Sequence, residues 1–152
     1  MTADLSALIA RLEAAEAGSR ELDAAIPRAL GWDVHNARRN GLWVVPFGEY
    51  DTCDPDDMFE LGEFTTSLDA ALALAERVLP GWAWMVRHWP EDQGNGIAGW
   101  TAYVRATDCE LVGSGPVFST PALALVIATL RAKLYGYAAE GEVNKNPKAQ
   151  EG

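Results

Sequence analysis

Residues 82–89, WAWMVRHW, and residues 100–107, WTAYVRAT, decide how this chain is read. Both runs are rich in aromatic and β-branched residues, and the connector between them, PEDQGNGIAG over 90–99, concentrates turn-forming types. Two such runs with such a connector predict an antiparallel hairpin. Alternation along each strand then sorts the side chains. Trp82, Trp84 and Val86 point to the core with Ala102 and Val104, which leaves Met85, Arg87, Trp89, Thr101, Tyr103 and Arg105 on the other face. With Trp89 set opposite Thr101, Arg87 falls across from Tyr103 and Met85 across from Arg105.

Helical spacing surrounds this hairpin. Before it, Leu5, Leu8, Ile9 and Leu12 mark an amphipathic helix from about Asp4 to Ala17, ended by Gly18. Ser19 is the N-cap of a second helix with Leu22, Ala25, Ile26 and Leu30 as its stripe; Pro27 inside it predicts a kink or a break near Ile26. Residues 32–40 read as a loop, and Gly41 to Val45 as a short strand stopped by Pro46. Between Glu49 and Glu63 stand seven carboxylates and no basic residue, the composition of an exposed loop. Thr65-Thr66-Ser67 leads into a third helix with Leu68, Ala71, Leu72, Ala75 and Val78 on one face, closed by Pro80-Gly81. After the hairpin comes a short strand around Glu110 to Val112. Thr120-Pro121 then opens a last helix carrying Leu123, Val126, Ile127, Leu130 and Leu134.

This order predicts an α/β fold of the α+β type, a small and mainly antiparallel sheet flanked by helices in an α/β/α sandwich with two N-terminal helices. The expected divisions are an N-terminal helix over 1–18, the sandwich over 19–136 and a disordered polar tail over 137–152. A chain of 152 residues, 49% apolar and 22% charged, has room for one core. Its net charge of −10 argues against wrapping duplex nucleic acid. The sequence holds no apolar run of bilayer length, and acidic Asp4 stands where a secretory signal would be basic, so the expected compartment is the cytoplasm. Cys53 and Cys109 lie outside any metal-type spacing and read as free thiols.

Four stretches together resemble the phage ABA-sandwich domain of small phage and prophage proteins: Phe64-Thr-Thr-Ser-Leu-Asp-Ala-Ala, Gly81-Trp-Ala-Trp-Met-Val, Ala102-Tyr-Val-Arg and Thr120-Pro-Ala-Leu-Ala-Leu. The lead-in Arg20-Glu-Leu-Asp-Ala-Ala-Ile with Leu30-Gly-Trp is similar to the one those proteins carry. The resemblance spans Ser19 to Leu134 and departs from the pattern at Pro27 and in the acidic insertion. It implies a sheet between helical layers and a phage or prophage origin in the host cell cytoplasm. It implies no activity, because its motifs are packing motifs.

Chemistry has few places to reside. The second face of the hairpin is basic and aromatic, suited to cation–π contact and to cradling a flat anion; the alternative is that the N-terminal helices cover it or that its arginines merely screen it. The ligand-binding candidates there are Arg87, Trp89, Tyr103 and Arg105, with Arg38, Arg39 and Trp43 as a second set beside His35. A solvated loop explains Arg38 and Arg39 equally well. The acidic stretch lacks the ligand order of a calcium loop, and no nucleophile–base pair, Walker or Rossmann pattern is present, so no catalytic residue, metal or cofactor is expected. The expectation is a non-enzymatic phage accessory protein that binds and sequesters a small anionic ligand, such as a nucleotide immune signal, in anti-defence. A structural, assembly or host-protein-binding role, with a homo-oligomer, is the alternative, and an uncharacterised enzyme the third.

Overall fold

A computed structural model describes residues 2–37, 41–45, 58–90, 98–106, 111–115 and 117–135. The elements run α1 (Thr2–Ala14), α2 (Arg20–Ala29), β1 (Asp33–Ala37), β2 (Gly41–Val45), β3 (Phe59–Glu60), α3 (Leu68–Val78), β4 (Ala83–Trp89), β5 (Gly99–Arg105), β6 (Val112–Gly113) and α4 (Pro121–Leu134). The result is a mixed α and β fold in which helices pack on antiparallel sheets, as the sequence predicts. The strands divide between two sheets, ordered β1-β2-β3 and β4-β5-β6.

The helix starts are set by side chains. Ser19 accepts a hydrogen bond from Leu22 N at 3.1 Å, Ser67 from Ala70 N at 3.2 Å and Thr120 from Leu123 N at 3.1 Å. Each satisfies one of the N–H groups that a first helical turn leaves without a partner. Of the expected kink or break at Pro27, the break does not occur, and α2 runs through it. Pro27 is the eighth residue of a ten-residue helix, so its missing N–H costs a single bond near the end. Its carbonyl still accepts from Leu30 N and Trp32 N at 3.1 and 2.9 Å.

The segment read as a loop over 32–40 contains strand β1, which pairs with β2 in the register Asp33↔Val45 and His35↔Trp43. Asp, Asn and Ala are poor strand formers, and it is pairing with the apolar β2 that extends them. The end of the acidic stretch differs likewise. Phe59–Glu60 forms β3 against β2, and Leu61 behind it is buried, its N–H bonded to Leu42 O at 2.9 Å. Residues 46–57 and the tail beyond 135 lie outside the described residues.

Helix α4 is the packing axis. Ala122 to Ala128 and Leu130 have no exposed surface, on every side of the helix. A helix apolar all round is stable only where it is enclosed. Here α3 and α1 pack on α4, and β5 with Ala102 and Val104 packs on another of its sides. Leu5, Leu8, Ile9 and Leu12 of α1 join this same core, and the Glu13–Arg131 ion pair links α1 to α4 at its edge.

A polar connection closes the framework. Asp23 of α2 is only 1% exposed, and its Oδ1 accepts from Thr65 N at 2.8 Å and from the Thr65 hydroxyl at 2.6 Å. Arg20 donates to Asp23 Oδ2 at 3.0 Å and to the carbonyls of Gly62 and Leu61 at 2.9 and 3.1 Å. Ser19 N donates to Thr65 Oγ1 at 2.9 Å. Gly18 permits this approach, because a Cβ there would stand 2.3 Å from Thr65 O. Replacing Asp23 by alanine strands the buried N–H of Thr65 and leaves its hydroxyl only the Ser19 carbonyl, 3.2 Å away, for an expected loss of about 2–3 kcal/mol in urea unfolding. Asp23→Asn, which keeps an acceptor, is expected to lose less; an alanine variant as stable as the parent would remove this network from the account.

Candidate ligand-binding face

Strands β4 and β5 form the antiparallel hairpin read from the sequence, with a different register. Trp89 pairs with Gly99, Arg87 with Thr101, Met85 with Tyr103 and Ala83 with Arg105. The expected opposition of Trp89 to Thr101, Arg87 to Tyr103 and Met85 to Arg105 is therefore displaced by two residues. The cause lies at Gly99, read as part of the turn. Trp100 exchanges both backbone hydrogen bonds with Phe118, each at 2.8 Å, which holds this end of β5 in a sheet and draws Gly99 into the ladder. A side chain at 99 would collide there, since its Cβ would lie 2.6 Å from Phe118 O, and its φ of +134° is one that L residues rarely adopt. A displacement of two preserves the alternation, so every residue keeps its predicted face.

On the outer face Trp89 stands across the ladder from Gly99. Its indole N–H donates to Thr101 Oγ1 at 3.0 Å, and Thr101 is buried beneath it. Arg87 stacks on this ring with its guanidinium carbon 4.2 Å from the centroid, a cation–π arrangement. Arg87, Trp89 and Thr101 thus form one prearranged unit, and the expected Arg87–Tyr103 pair is replaced by Arg87–Trp89. Beyond it lie Met85, which is 47% exposed, half-buried Tyr103 and exposed Arg105. Arg105 is four positions along β4 from Arg87 by register, or ~13 Å at the usual rise of a strand. The two arginines therefore leave the sheet on either side of the Met85–Tyr103 pair, with the Arg87 guanidinium over Trp89 and the Tyr103 ring close against Gly113 of β6.

This face is not the one against which the helices pack. Helix α4 covers the side bearing Ala102 and Val104, while α1 packs on α4 and α2 on β1. The inner face is incompletely covered. Trp84, expected in the core, is 45% exposed, because β4 is the edge strand and α4 is centred on β5. Val86 and Trp82 are half-buried, and His88 stacks on Trp100 at 4.4 Å.

The second set of candidates is elsewhere. Arg38 and Arg39 lie outside the described residues, and half-buried Trp43 is in the first sheet, opposite His35 and Glu60. The structure does not join Trp43 to the Arg87 and Arg105 face, and a carboxylate is its direct neighbour on β3. Cys53, Cys109 and the acidic residues from Glu49 to Asp57 also lie outside the described residues. Among the described residues no group of three or more His, Cys, Asp or Glu side chains is placed to hold a metal ion, and no helix is long and apolar enough to cross a membrane.

Two features were missed from sequence. Arg77 of α3 stacks over Phe59 of β3 at 3.9 Å, fastening the first sheet to α3. A cleft of about 390 Å³ between α1 and α2 is lined by Arg11 and Arg28 with Asp4 and the small side chains of Ala7, Ala25 and Ala29. The alanines that create it signal helix in a sequence, and their crowding on facing helices emerges only on packing.

The unit on the outer face has a measurable weight. Trp89→Phe removes the indole donor from Thr101 while keeping a ring for Arg87, and is expected to cost about 1–2 kcal/mol. Urea unfolding measures it, and an unchanged midpoint would mean that Trp89 does not hold this face together.

No family model, no curated protein and no solved structure matches this chain.

Proposed function

We propose that the protein is a non-enzymatic binding protein whose outer face on the second sheet captures a flat, anionic, nucleotide-like ligand. The observation that carries the reading is Arg87 already stacked on Trp89, with Met85 and Tyr103 between it and Arg105 on a face that the helices leave open. A planar ring system gains contact area over Met85 and Tyr103, and an acidic group gains the guanidinium of Arg87 or of Arg105. Arg87 held by an aromatic ring has less side-chain freedom to lose on binding, which favours affinity. In a chain of net charge −10 this strip, with two arginines and no carboxylate among its residues, is a local exception that an anion can find.

Sequestration needs affinity and no chemistry, which suits a site without a nucleophile or base. The likeness of residues 19–134 to phage ABA-sandwich domains supplies the setting we favour, a phage or prophage accessory protein that removes a nucleotide signal from the host cytoplasm as anti-defence. A second reading, an assembly or host-protein-binding role, is favoured by a separate observation, the exposure of Trp84 and Met85 on an edge strand.

Calorimetric titration of the wild type with a panel of nucleotides is expected to find a saturating ligand. Its affinity should fall by about tenfold or more in the Arg87→Ala/Arg105→Ala variant, a change of about 1.4 kcal/mol. Unchanged affinity in that variant would exclude the face as the site, and absence of binding by any nucleotide would overturn the ligand class.

A further inference from the structure

Helices α1 and α2 meet over short side chains. On α1, Asp4, Ala7, Leu8 and Arg11 follow the i, i+3, i+4, i+7 spacing that places them on one face, and on α2 Ala25, Arg28 and Ala29 follow it likewise. Alanine fills less of the space between two helices than leucine does, and the shortfall is the cleft of about 390 Å³ that these residues line. That volume falls in the range of about 300–1,000 Å³ usual for small-molecule pockets. Leu8 and Ala29 are buried and give the cleft an apolar floor, while Arg11 and Arg28 are exposed at its rim. Elsewhere in the fold Arg20 is held by Asp23, Arg131 by Glu13, Arg77 by the Phe59 ring and Arg87 by the ring of Trp89. Among the described residues, neither Arg11 nor Arg28 has an ion pair, a hydrogen bond or a ring contact. Both stand in the last turn of a helix, which accounts for a positive charge at each place but not for two of them on one hollow.

We infer that the cleft between α1 and α2 binds a small organic monocarboxylate, its carboxylate on Arg11 and Arg28 and its apolar body over Leu8 and the alanines. Two guanidinium groups on one hollow repel each other, and the two oxygens of a carboxylate give each of them a charge-assisted hydrogen bond. Asp4 on the same lining sets the charge of the ligand. With it the cleft has a surplus of one positive charge, which a monoanion balances and a phosphate dianion exceeds. The body must be apolar, since four of the seven lining residues are Ala7, Leu8, Ala25 and Ala29 and none carries a hydroxyl or an amide side chain that would receive a sugar. Solvated guanidinium groups contribute modest energies, so the expected affinity is millimolar. The site is separate from the outer face of the second sheet, because α1 and α2 pack against α4 and β1.

The test is a nuclear magnetic resonance titration of the full chain with benzoate, read at the backbone amides. The amides of Ala7, Ala25 and Ala29 are expected to shift and saturate at millimolar benzoate while that of Thr101, beneath the outer face, stays in place. Arg11→Gln/Arg28→Gln, which changes two exposed side chains, is expected to weaken benzoate by about tenfold or more with the rest of the spectrum unaltered. Ala25→Leu keeps both arginines and fills the cleft, and is expected to abolish the response. Arg87→Ala/Arg105→Ala is expected to bind benzoate as the wild type does, so that failure of the nucleotide reading and failure of this one are told apart. Neutral benzamide and sulfate are expected to leave the three alanine amides unmoved. Absence of a saturable shift at those amides would overturn the proposal, as would undiminished binding in Arg11→Gln/Arg28→Gln or in Ala25→Leu. An equal response to benzamide or to sulfate would do the same, the first by removing the carboxylate from the account and the second the apolar body.

Discussion

Asp23 is a carboxylate withdrawn from water, and what keeps it there is the backbone N–H and the hydroxyl of Thr65, with Arg20 on its other oxygen. The bonds join the start of α2 to the residues just before α3, across 42 positions of sequence. Much depends on that join. Arg20 reaches on to the carbonyls of Leu61 and Gly62, fixing the chain as it leaves β3, and Gly18 must lack a side chain for Thr65 to come close. The entry of two helices and the exit of one strand are thereby set around a single buried acid, satisfied fully enough that its burial is tolerated.

Those fixed ends aim α3 and α1 at α4, and α4 in turn supports β5. Support weakens across the sheet, strong at Ala102 and Val104 and poor at Trp84, so the hairpin has a firm inner strand and an exposed outer one. This gradient shapes the hairpin. A well-seated β5 presents Tyr103 and Arg105 on a firm base, and a poorly covered β4 leaves Trp84 and Met85 exposed. On the outer face the Arg87–Trp89–Thr101 unit stiffens the same strand from the other side.

Local signals in the sequence were sufficient for elements that carry their own chemistry. Ser19, Ser67 and Thr120 cap helices because a hydroxyl one turn before an apolar stripe has an N–H to meet, whatever the rest of the fold. The hairpin and the face assignment of Arg87, Trp89, Tyr103 and Arg105 were equally legible, since alternation belongs to the strand itself. Strand β1 was not, because Asp33-Val-His-Asn-Ala carries no strand preference and becomes a strand by pairing with β2. The expectation of a break at Pro27 erred in the opposite direction, since a proline near a helix end costs little once packing holds the helix.

The sequence by itself therefore determined which residues form helices and hairpin, and which side of the hairpin is basic and aromatic. Tertiary structure decided the register, because the Trp100–Phe118 bridge between distant segments places Gly99 inside the ladder and so puts Arg87 on Trp89 instead of Tyr103. It also decided exposure: Trp84 has the pattern of a core residue, yet α4 is centred on β5 and does not cover it. Alternation is a property of one strand and can be read from it. Register and burial depend on which partners arrive, and those partners are far away in the chain.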